Sequence, residues 1–195
     1  MSRRTADDWT RAALDALADG GLAAVAVEPI AAALGATKGS FYWHFGRRAD
    51  LVDAVLERWE AATAALVAEL GEPETPARDR LLTLFERVFA SGRLGRAELA
   101  LMADRDDPAV APVLRRVTET RLAFLERLWG ELGLEAEAAR SRAVFLYATY
   151  LGHLQLQALA PDLIAAKAGP LEAYRAEIVG LLADHQDACS GRPSS

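Results

Sequence analysis

The stretch LGATKGSFYWHFGRRADL, residues 34–51, places three aromatic residues and a histidine in a row, shortly after a glycine. Large rings normally pack inside a protein, whereas the basic residues that surround them here normally stay at the surface. On a helix that begins at Lys38, Phe41 and Phe45 lie four residues apart and therefore share a face. We expect these two rings to anchor a helix that is too short to be stable alone, so that its polar side chains are presented to a partner.

Capping signals divide the preceding residues into two further helices. Thr5 and Asp8 have the spacing of a capping box, which predicts the start of a first helix. Gly20 and Gly21 predict its end, because glycine readily adopts the left-handed conformation that closes a helix. A second, short helix is predicted for residues 27–34.

The third helix is predicted from Lys38 to about Phe45, with Gly35 as the stop of the helix before it and Thr37 as its own cap. Two short helices joined by a tight turn with a glycine, the second bearing basic and hydroxyl groups, indicate a helix-turn-helix. A long fourth helix, at about residues 48–70, connects this part to the rest of the chain.

The remaining sequence also has the periodicity of amphipathic helices. Ala and Leu dominate its apolar residues, and β-branched runs are scarce, so strands are not expected. Further helices are predicted at residues 78–90, 97–103, 108–132, 135–160 and 170–185. The expected fold class is therefore all-α, with about nine helices. A three-helix helix-turn-helix domain is predicted at residues 1–48 and a larger helical domain at residues 49–195.

Charge is unevenly distributed along the chain, whose net charge is −6. Residues 1–48 contain six basic and five acidic groups, whereas the remainder contains 16 basic and 23 acidic groups. An anionic partner is therefore expected to approach the first domain and to be repelled by the second.

Several classes of protein are not expected from this sequence. No stretch approaches the ~18 uncharged apolar residues of a membrane helix, and the start of the chain does not have the pattern of a secretory signal. The single cysteine, Cys189, excludes an internal disulfide and suits a reducing cytoplasm. His44, His153 and His185 are far apart in the sequence, so we expect neither a metal site nor a cofactor.

The segment VEPIAAALGATKGSFYWHFGRRADLVDAV, residues 27–55, resembles the amino-terminal DNA-binding domain of TetR-type transcriptional regulators. The resemblance covers about Thr5 to Val55 and is most specific in IAAALGATKGSFYWHFGRRADL. It implies a homodimer that places two recognition helices in successive major grooves of a palindromic DNA operator. It also implies a variable helical body that binds a small-molecule effector.

The resemblance assigns DNA-binding roles to positions in and beside the third helix. These positions are Thr37, Lys38, Gly39, Ser40, Tyr42, Trp43, His44, Arg47 and Arg48. Tyr42 and His44 match positions that usually contact phosphates or flanking bases, and Arg48 replaces a lysine that is common there. For Trp43 we expect core packing more than DNA contact, and the alternative for His44 is a surface histidine that caps its helix.

Two positions depart from the family pattern. Ala26 stands where the second helix often has a Thr or Ser cap, and Arg47 stands where the fourth helix often has a small polar cap. Each departure is expected to cost ~1 kcal/mol of capping energy. At Arg47 a second phosphate contact is the expected compensation.

The helix predicted at residues 135–160 is apolar on two sides, so both sides are expected to be buried. One would face the interior of its own subunit and the other a partner subunit, and the sequence does not decide which is which. A ligand pocket is predicted from residues of this helix and its neighbours. Its predicted lining is Phe89, Met102, Phe124, Trp129, Tyr147, Tyr150, His153 and Gln157. The alternative for each of these residues is an ordinary place in the core.

The expected function is that of a sequence-specific DNA-binding regulator, more consistent with a repressor than an activator. A small, largely apolar or aromatic ligand would release it from a palindromic operator. One alternative is a helical interaction or small-molecule-binding protein without a DNA function. Another is a helical enzyme that uses His153 with a carboxylate. No nucleophile stands at a recognisable spacing and no glycine loop suits a phosphate, so we do not expect an enzyme.

Overall fold

The computed structural model describes residues 4–90 and 92–168, together with Gly180. Nine helices and no strand lie within the two ranges, as the all-α prediction requires. The helices are α1 (Ala6–Ala24), α2 (Val27–Leu34), α3 (Lys38–His44), α4 (Arg48–Glu69), α5 (Ala77–Ala90), α6 (Gly92–Ala103), α7 (Val110–Glu131), α8 (Ala136–Leu159) and α9 (Pro161–Ala168). The chain divides into two compact units. The first comprises residues 1–69 and 91–123, and the second comprises residues 70–90 and 124–195.

Helix α1 begins where its sequence predicts, but the glycines predicted to end it form a kink instead. The Thr5 hydroxyl accepts a hydrogen bond from the Asp8 N–H at 3.2 Å, and the Asp8 carboxylate accepts one from the Thr5 N–H at 2.9 Å. This reciprocal capping box satisfies backbone donors that the first turn would otherwise leave unpaired. Gly20 and Gly21 interrupt the helical geometry, and Gly21 has a φ of 71° that favours glycine. One further helical turn follows them and ends at Ala24.

The helix-turn-helix forms as predicted from α2, a short turn and α3. Gly35 closes α2 in the left-handed conformation with a φ of 60°. Thr37 then caps α3, because its hydroxyl accepts a hydrogen bond from the Ser40 N–H at 3.2 Å.

The core of the first unit is built around α1, which packs against α2, α4 and α6. Its fully buried members include two tryptophans, a phenylalanine of α3 and several aliphatic side chains. They are Trp9, Leu17, Val25, Phe41, Leu51, Val55, Trp59 and Leu101. The polar groups of α2 and α3 therefore sit on a hydrophobic base that stabilises two helices too short to be stable by themselves.

The first unit also contains a buried ion pair that connects α4, α6 and α7. Glu98 on α6 is 2% exposed and accepts a hydrogen bond from the Arg121 guanidinium at 2.5 Å. The same guanidinium donates to the Thr63 hydroxyl at 3.2 Å and lies 5.5 Å from the Trp59 ring centre. Burial of these charges is tolerated because each is paired.

The second unit has its own core, formed by α5, the last turns of α7, and α8. Its buried residues include Leu81, Leu82, Phe85, Phe124, Leu125, Leu128, Trp129, Ala139, Ala143 and Leu146. Arg80 is almost fully buried here and forms an ion pair with Glu131. This pair links α5 to the carboxyl end of α7 within the unit.

Three helix boundaries differ from the sequence-based predictions. Helix α6 begins at Gly92 and not near residue 97. Arg93 and Arg96 pair with Asp15 and Asp19 of α1, and these tertiary contacts accompany the extension of α6 through a segment that was not predicted to be helical. Helix α7 begins at Val110 and not at residue 108. Asp107 caps the turn that leads into it, since its carboxylate accepts a hydrogen bond from the Ala109 N–H and its carbonyl accepts bonds from the N–H groups of Val110 and Ala111.

The third difference concerns Pro161, which was predicted only to end the preceding helix. It begins α9 as well, because proline lacks the N–H that the first helical position leaves unpaired. The helix predicted at residues 170–185 lies outside the described ranges.

Neither a membrane-spanning helix nor a metal-binding cluster occurs in the described part of the chain. No helix there is both long and apolar enough to cross a bilayer. In the same residues, no three His, Cys, Asp or Glu side chains come together in a way that could hold a metal ion.

Candidate nucleic-acid interface

The inward face of α3 is fixed by two phenylalanines. Phe41 is 0% exposed, and its ring meets that of Trp9 edge-on with centroids 5.4 Å apart. Phe45 is also buried and stacks on Phe41 at 5.5 Å. These contacts anchor a helix of only seven residues to α1, as the four-residue spacing of the rings predicted.

The opposite side of α3 is exposed and polar. Thr37, Lys38 and Gly39 are exposed, Ser40 is half-buried, and Tyr42 is 60% exposed. A Cβ atom added to Gly39 would meet only the Thr37 hydroxyl, at an ordinary contact distance of 3.7 Å. The fold therefore does not require glycine at this position, and the small residue leaves room for another molecule to approach the α3 backbone closely.

Trp43 does not pack in the core, and that expectation was wrong. Its side chain is 72% exposed. Trp43 follows Phe41 by two residues, which at 100° per residue turns it about 200° away from the buried face. A large exposed ring beside Tyr42 adds to the surface available to a partner, because both rings combine apolar area with a polar group.

His44 holds the amino-terminal segment against the helix-turn-helix. Its Nε2 lies 2.8 Å from the Arg4 carbonyl oxygen, to which it must donate. The Arg4 guanidinium in turn donates to the Leu34 carbonyl at 2.9 Å. The sequence did not indicate Arg4, because nothing in its spacing shows that the chain before α1 lies beside the ends of α2 and α3.

The two predicted capping defects differ in the structure. Ala26 precedes α2 and makes no side-chain cap bond, as expected. At α4 the missing cap is compensated by Asp50, whose carboxylate accepts a hydrogen bond from the Arg47 N–H at 3.0 Å. The Arg47 guanidinium also donates to Asp50 at 2.9 Å and thereby lowers the pKa of this carboxyl. Arg47 remains exposed.

Arg48 bonds to the main chain of the α1–α2 connection. Its Nε donates to the Val25 carbonyl at 2.6 Å, and a terminal nitrogen donates to the Leu22 carbonyl. These carbonyls belong to the end of α1, where basic side chains satisfy unpaired acceptors. Arg48 therefore ties the start of α4 to the helix-turn-helix, and its predicted phosphate contact remains a prediction.

Lys38 forms an ion pair with Glu28, a residue that the sequence did not indicate. The two side chains are 59% and 70% exposed. The hydrogen bond between the two side chains, together with their opposite charges, raises the pKa of Lys38 and lowers that of Glu28. A surface groove of about 290 Å³ lies between the start of α2 and α3. Its lining consists of both charged side chains and of Ala26, Val27, Pro29 and Tyr42.

The residues predicted to bind a ligand are only partly brought together. Phe89 lies 4.6 Å from His153 and 5.9 Å from Tyr150, and Tyr147 stacks on Tyr150 at 6.3 Å, all between ring centres. Phe85, which the sequence analysis did not include, joins this aromatic cluster 4.1 Å from Phe89. Burial lowers the pKa of His153, so the imidazole favours its neutral form.

The four other predicted ligand residues have different environments. Phe124 and Trp129 are buried in the second unit, whereas Gln157 is exposed on α8. Met102 is half-buried and belongs to the first unit. Four of the predicted residues are therefore brought together within the second unit, where Phe85 joins them. We call this group the aromatic cluster; it consists of Phe85, Phe89, Tyr147, Tyr150 and His153.

Helix α8 buries one face and exposes another. Leu146, Tyr150 and His153 are buried, whereas Phe145 is 56% exposed and Leu159 is 81% exposed. Val144, Leu156 and, on α9, Leu163 are also large exposed apolar side chains. An exposed apolar surface of this kind marks a site of interaction with another protein or with a ligand.

Comparison with known families agrees with the geometry of the amino-terminal helices. The family model for bacterial regulatory proteins of the tetR family matches residues 10–55. Residues 10–55 therefore form an amino-terminal domain of the TetR type. The match runs from the first turns of α1 through the helix-turn-helix to Val55 on α4, and it includes every position to which a DNA-binding role was assigned.

TetR-type proteins of known structure share the fold over nearly the whole chain. A TetR transcriptional regulator from Legionella pneumophila superposes with a TM-score of 0.76 at 20% identity, covering 93% of this chain and 98% of the other. SmeT, the repressor of a multidrug efflux pump in Stenotrophomonas maltophilia, has a TM-score of 0.64 at 20% identity, with coverages of 88% and 87%. A protein from Saccharomonospora viridis, crystallised in complex with choline, has a TM-score of 0.69 at 20% identity, with coverages of 91% and 94%. At these identities the similarity establishes the fold.

Proposed function

We propose that this chain is a TetR-type, sequence-specific DNA-binding transcriptional regulator whose recognition helix is α3. One observation supports this most directly. A helix anchored from below by Phe41 presents Lys38, Gly39 and Tyr42 outward, and a helix of this width fits the major groove of B-DNA. The hydroxyl, ammonium and ring groups of this face are those that proteins use on base edges and phosphates.

The proposed contacts follow from the chemistry of each side chain. Lys38 is suited to the acceptor edge of guanine, and the hydroxyls of Thr37 and Ser40 are suited to bases or phosphates. Tyr42, Trp43 and the basic side chains flank this centre, with phosphate oxygens as their proposed partners. The flanking set is Tyr42, Trp43, His44, Arg47 and Arg48.

The direct test is binding to duplex DNA as a function of salt. A labelled pool of random duplexes, together with the DNA that flanks the gene, is incubated with the protein and the retained fraction is sequenced. We expect one enriched palindromic sequence. The logarithm of the binding constant is expected to fall linearly with the logarithm of the salt concentration, with a slope of about 0.9 for each phosphate neutralised. No retained duplex at low salt would refute the proposal.

We further propose that the protein acts as a homodimer through the exposed apolar face of α8. This face includes Phe145, Leu156 and Leu159, and between them Gly152 has open space around it. A symmetric dimer would place two copies of α3 about one DNA turn apart, roughly 34 Å. Phe145→Glu is expected to convert the dimer to a monomer in light scattering, whereas Leu163→Glu, on α9, is expected to weaken it less.

The proposed regulation is repression that a small ligand relieves. The aromatic cluster suits a largely apolar or aromatic compound with one or two hydrogen-bonding groups, and it is the proposed site. The compounds to be tested should include quaternary ammonium compounds, because the Saccharomonospora viridis protein was crystallised with choline and such cations bind over aromatic rings. Active compounds are expected to raise the melting temperature and to release bound DNA, and both effects are expected to be lost in Tyr150→Ala.

The proposal is for a binding protein without enzymatic activity, which acts in the cytoplasm where the operator is found. DNA binding that depends on Lys38 distinguishes it from a helical interaction protein whose helix-turn-helix has no function. If Lys38→Ala and Tyr42→Ala both leave DNA affinity unchanged, that alternative is favoured.

A further inference from the structure

Glu28 lies on the same exposed side of the helix-turn-helix as Lys38, and on the proposed DNA-binding surface an acidic residue would oppose the binding of a polyanion. It belongs to the first turn of α2, ten residues before Lys38, and its side chain is 70% exposed. Its carboxylate pairs with the Lys38 ammonium across the groove between α2 and α3. A residue that only stabilised α2 would not need to neutralise the first basic group of the recognition helix.

The two charges leave Lys38 with a restricted choice of further partners. An ammonium group has three N–H donors, and Glu28 occupies one of them, so two remain. A phosphate brought to these donors would also approach the Glu28 carboxylate and would be repelled by it. The neutral acceptors O6 and N7 of guanine would not be repelled, and a lysine can donate to both.

We propose that Glu28 is a specificity-determining residue that directs Lys38 toward guanine and away from phosphate. The inference rests on the proposed DNA-binding function and concerns how α3 discriminates among sequences. The carboxylate also provides an acceptor for the amino group of a neighbouring cytosine or adenine. Glu28 thus lowers the affinity for DNA of arbitrary sequence more than it lowers the affinity for the operator.

The charge-neutral variant Glu28→Gln gives the clearest consequences. An exposed ion pair of this kind corresponds to roughly a two- to fivefold change in affinity, so binding to arbitrary DNA is expected to strengthen by that factor. Lys38 becomes available to a phosphate, so the slope of log K against log salt concentration is expected to steepen by up to about 0.9. The ratio of operator to arbitrary-sequence affinity is expected to fall.

The experiment measures fluorescence anisotropy of two labelled duplexes, the enriched operator and a scrambled sequence, at three salt concentrations. The proteins are wild type, Glu28→Gln, Lys38→Met and the double variant. Glu57→Gln is the matched control, because it removes the same charge from an exposed position further along α4. Circular dichroism and thermal unfolding establish that each variant is folded.

The outcomes separate this inference from the function on which it rests. It is supported if Glu28→Gln changes the specificity ratio and the salt slope, Glu57→Gln does not, and the change disappears in the Lys38→Met background. It is overturned if wild type selects an operator but Glu28→Gln behaves like Glu57→Gln, or if its effect persists without Lys38. A wild-type protein that selects no sequence would overturn the proposed function as well.

Discussion

Replacing Gly39 with alanine is expected to stabilise the protein and weaken its DNA binding at the same time. Gly39 lies in the first turn of α3, is exposed and has no left-handed φ. The added Cβ would contact only the Thr37 hydroxyl, at 3.7 Å. No steric cost therefore offsets the gain from a less flexible unfolded chain, and the free energy of unfolding is expected to rise by ~0.4–1 kcal/mol.

The expected shift in melting temperature follows from that figure and from the length of the chain. For a protein of this size, 1 kcal/mol corresponds to roughly 2–4 °C, so the Gly39→Ala protein is expected to melt about 1–4 °C higher. On DNA the same methyl group would occupy the space through which a base edge or phosphate approaches the α3 backbone. If this overpacking costs about 1–3 kcal/mol, the affinity for the operator falls by roughly 5- to 150-fold.

Thermal unfolding and anisotropy titration with the enriched operator measure the two effects. The matched control is Gly130→Ala, since Gly130 is an exposed helical glycine on α7 with nothing within 4 Å of an added Cβ. It is expected to stabilise the protein to a similar extent and to leave DNA affinity unchanged. The reasoning is refuted if Gly39→Ala binds the operator as tightly as wild type, or if it lowers the melting temperature.

Five further substitutions test the structure more locally. Phe41→Ala is expected to lower the free energy of unfolding by ~3–5 kcal/mol because a fully buried ring is lost. Trp43→Ala is expected to lower it far less, because the Trp43 side chain is exposed. Equal losses in urea unfolding would contradict the assigned faces of α3. Arg48→Ala is expected to cost about 1–2 kcal/mol in the same assay, because the Val25 carbonyl loses the Arg48 donor and the Leu22 carbonyl keeps only the Val25 N–H. An unchanged stability would mean that water replaces the guanidinium. Ala26→Ser is expected to add up to ~1 kcal/mol by capping α2, and no gain would show that its hydroxyl does not reach the α2 backbone. Burial lowers the pKa of His153 below its ordinary value of 6.5, so the unfolded chain takes up the proton more readily than the folded protein. The free energy of unfolding is therefore expected to fall as the pH drops below about 6.5, with a slope of at most ~1.4 kcal/mol per pH unit. The His153→Phe substitution should remove this part of the slope.

The amino-terminal helices could be predicted closely because their signals are local. Thr5 and Asp8 are three residues apart, and so are Thr37 and Ser40, so each cap forms within a single turn. Phe41 and Phe45 share a face on any α-helix, whatever surrounds it. The buried base and exposed polar side of α3 could therefore be predicted from the sequence alone.

Other parts of the candidate site depended on contacts between distant residues. Lys38 was expected to be available to DNA, but the crossing of α2 and α3 brings Glu28 to it. The partners of Arg48 at the end of α1, and of His44 at Arg4, are likewise outside the reach of periodicity. Trp43 was expected inside because large apolar rings usually are, and the orientation of α3 places it outside.

By itself, the sequence determined the fold class, the starts of the first three helices and the face of α3 that turns inward. Backbone hydrogen bonding and helical periodicity act over three or four residues, and such spacings are visible in a linear chain. Tertiary structure alone decided where α6 begins, which rings surround His153 and which charges meet across the groove. These outcomes depend on how helices cross, and crossing is set by the simultaneous packing of side chains that are far apart in sequence.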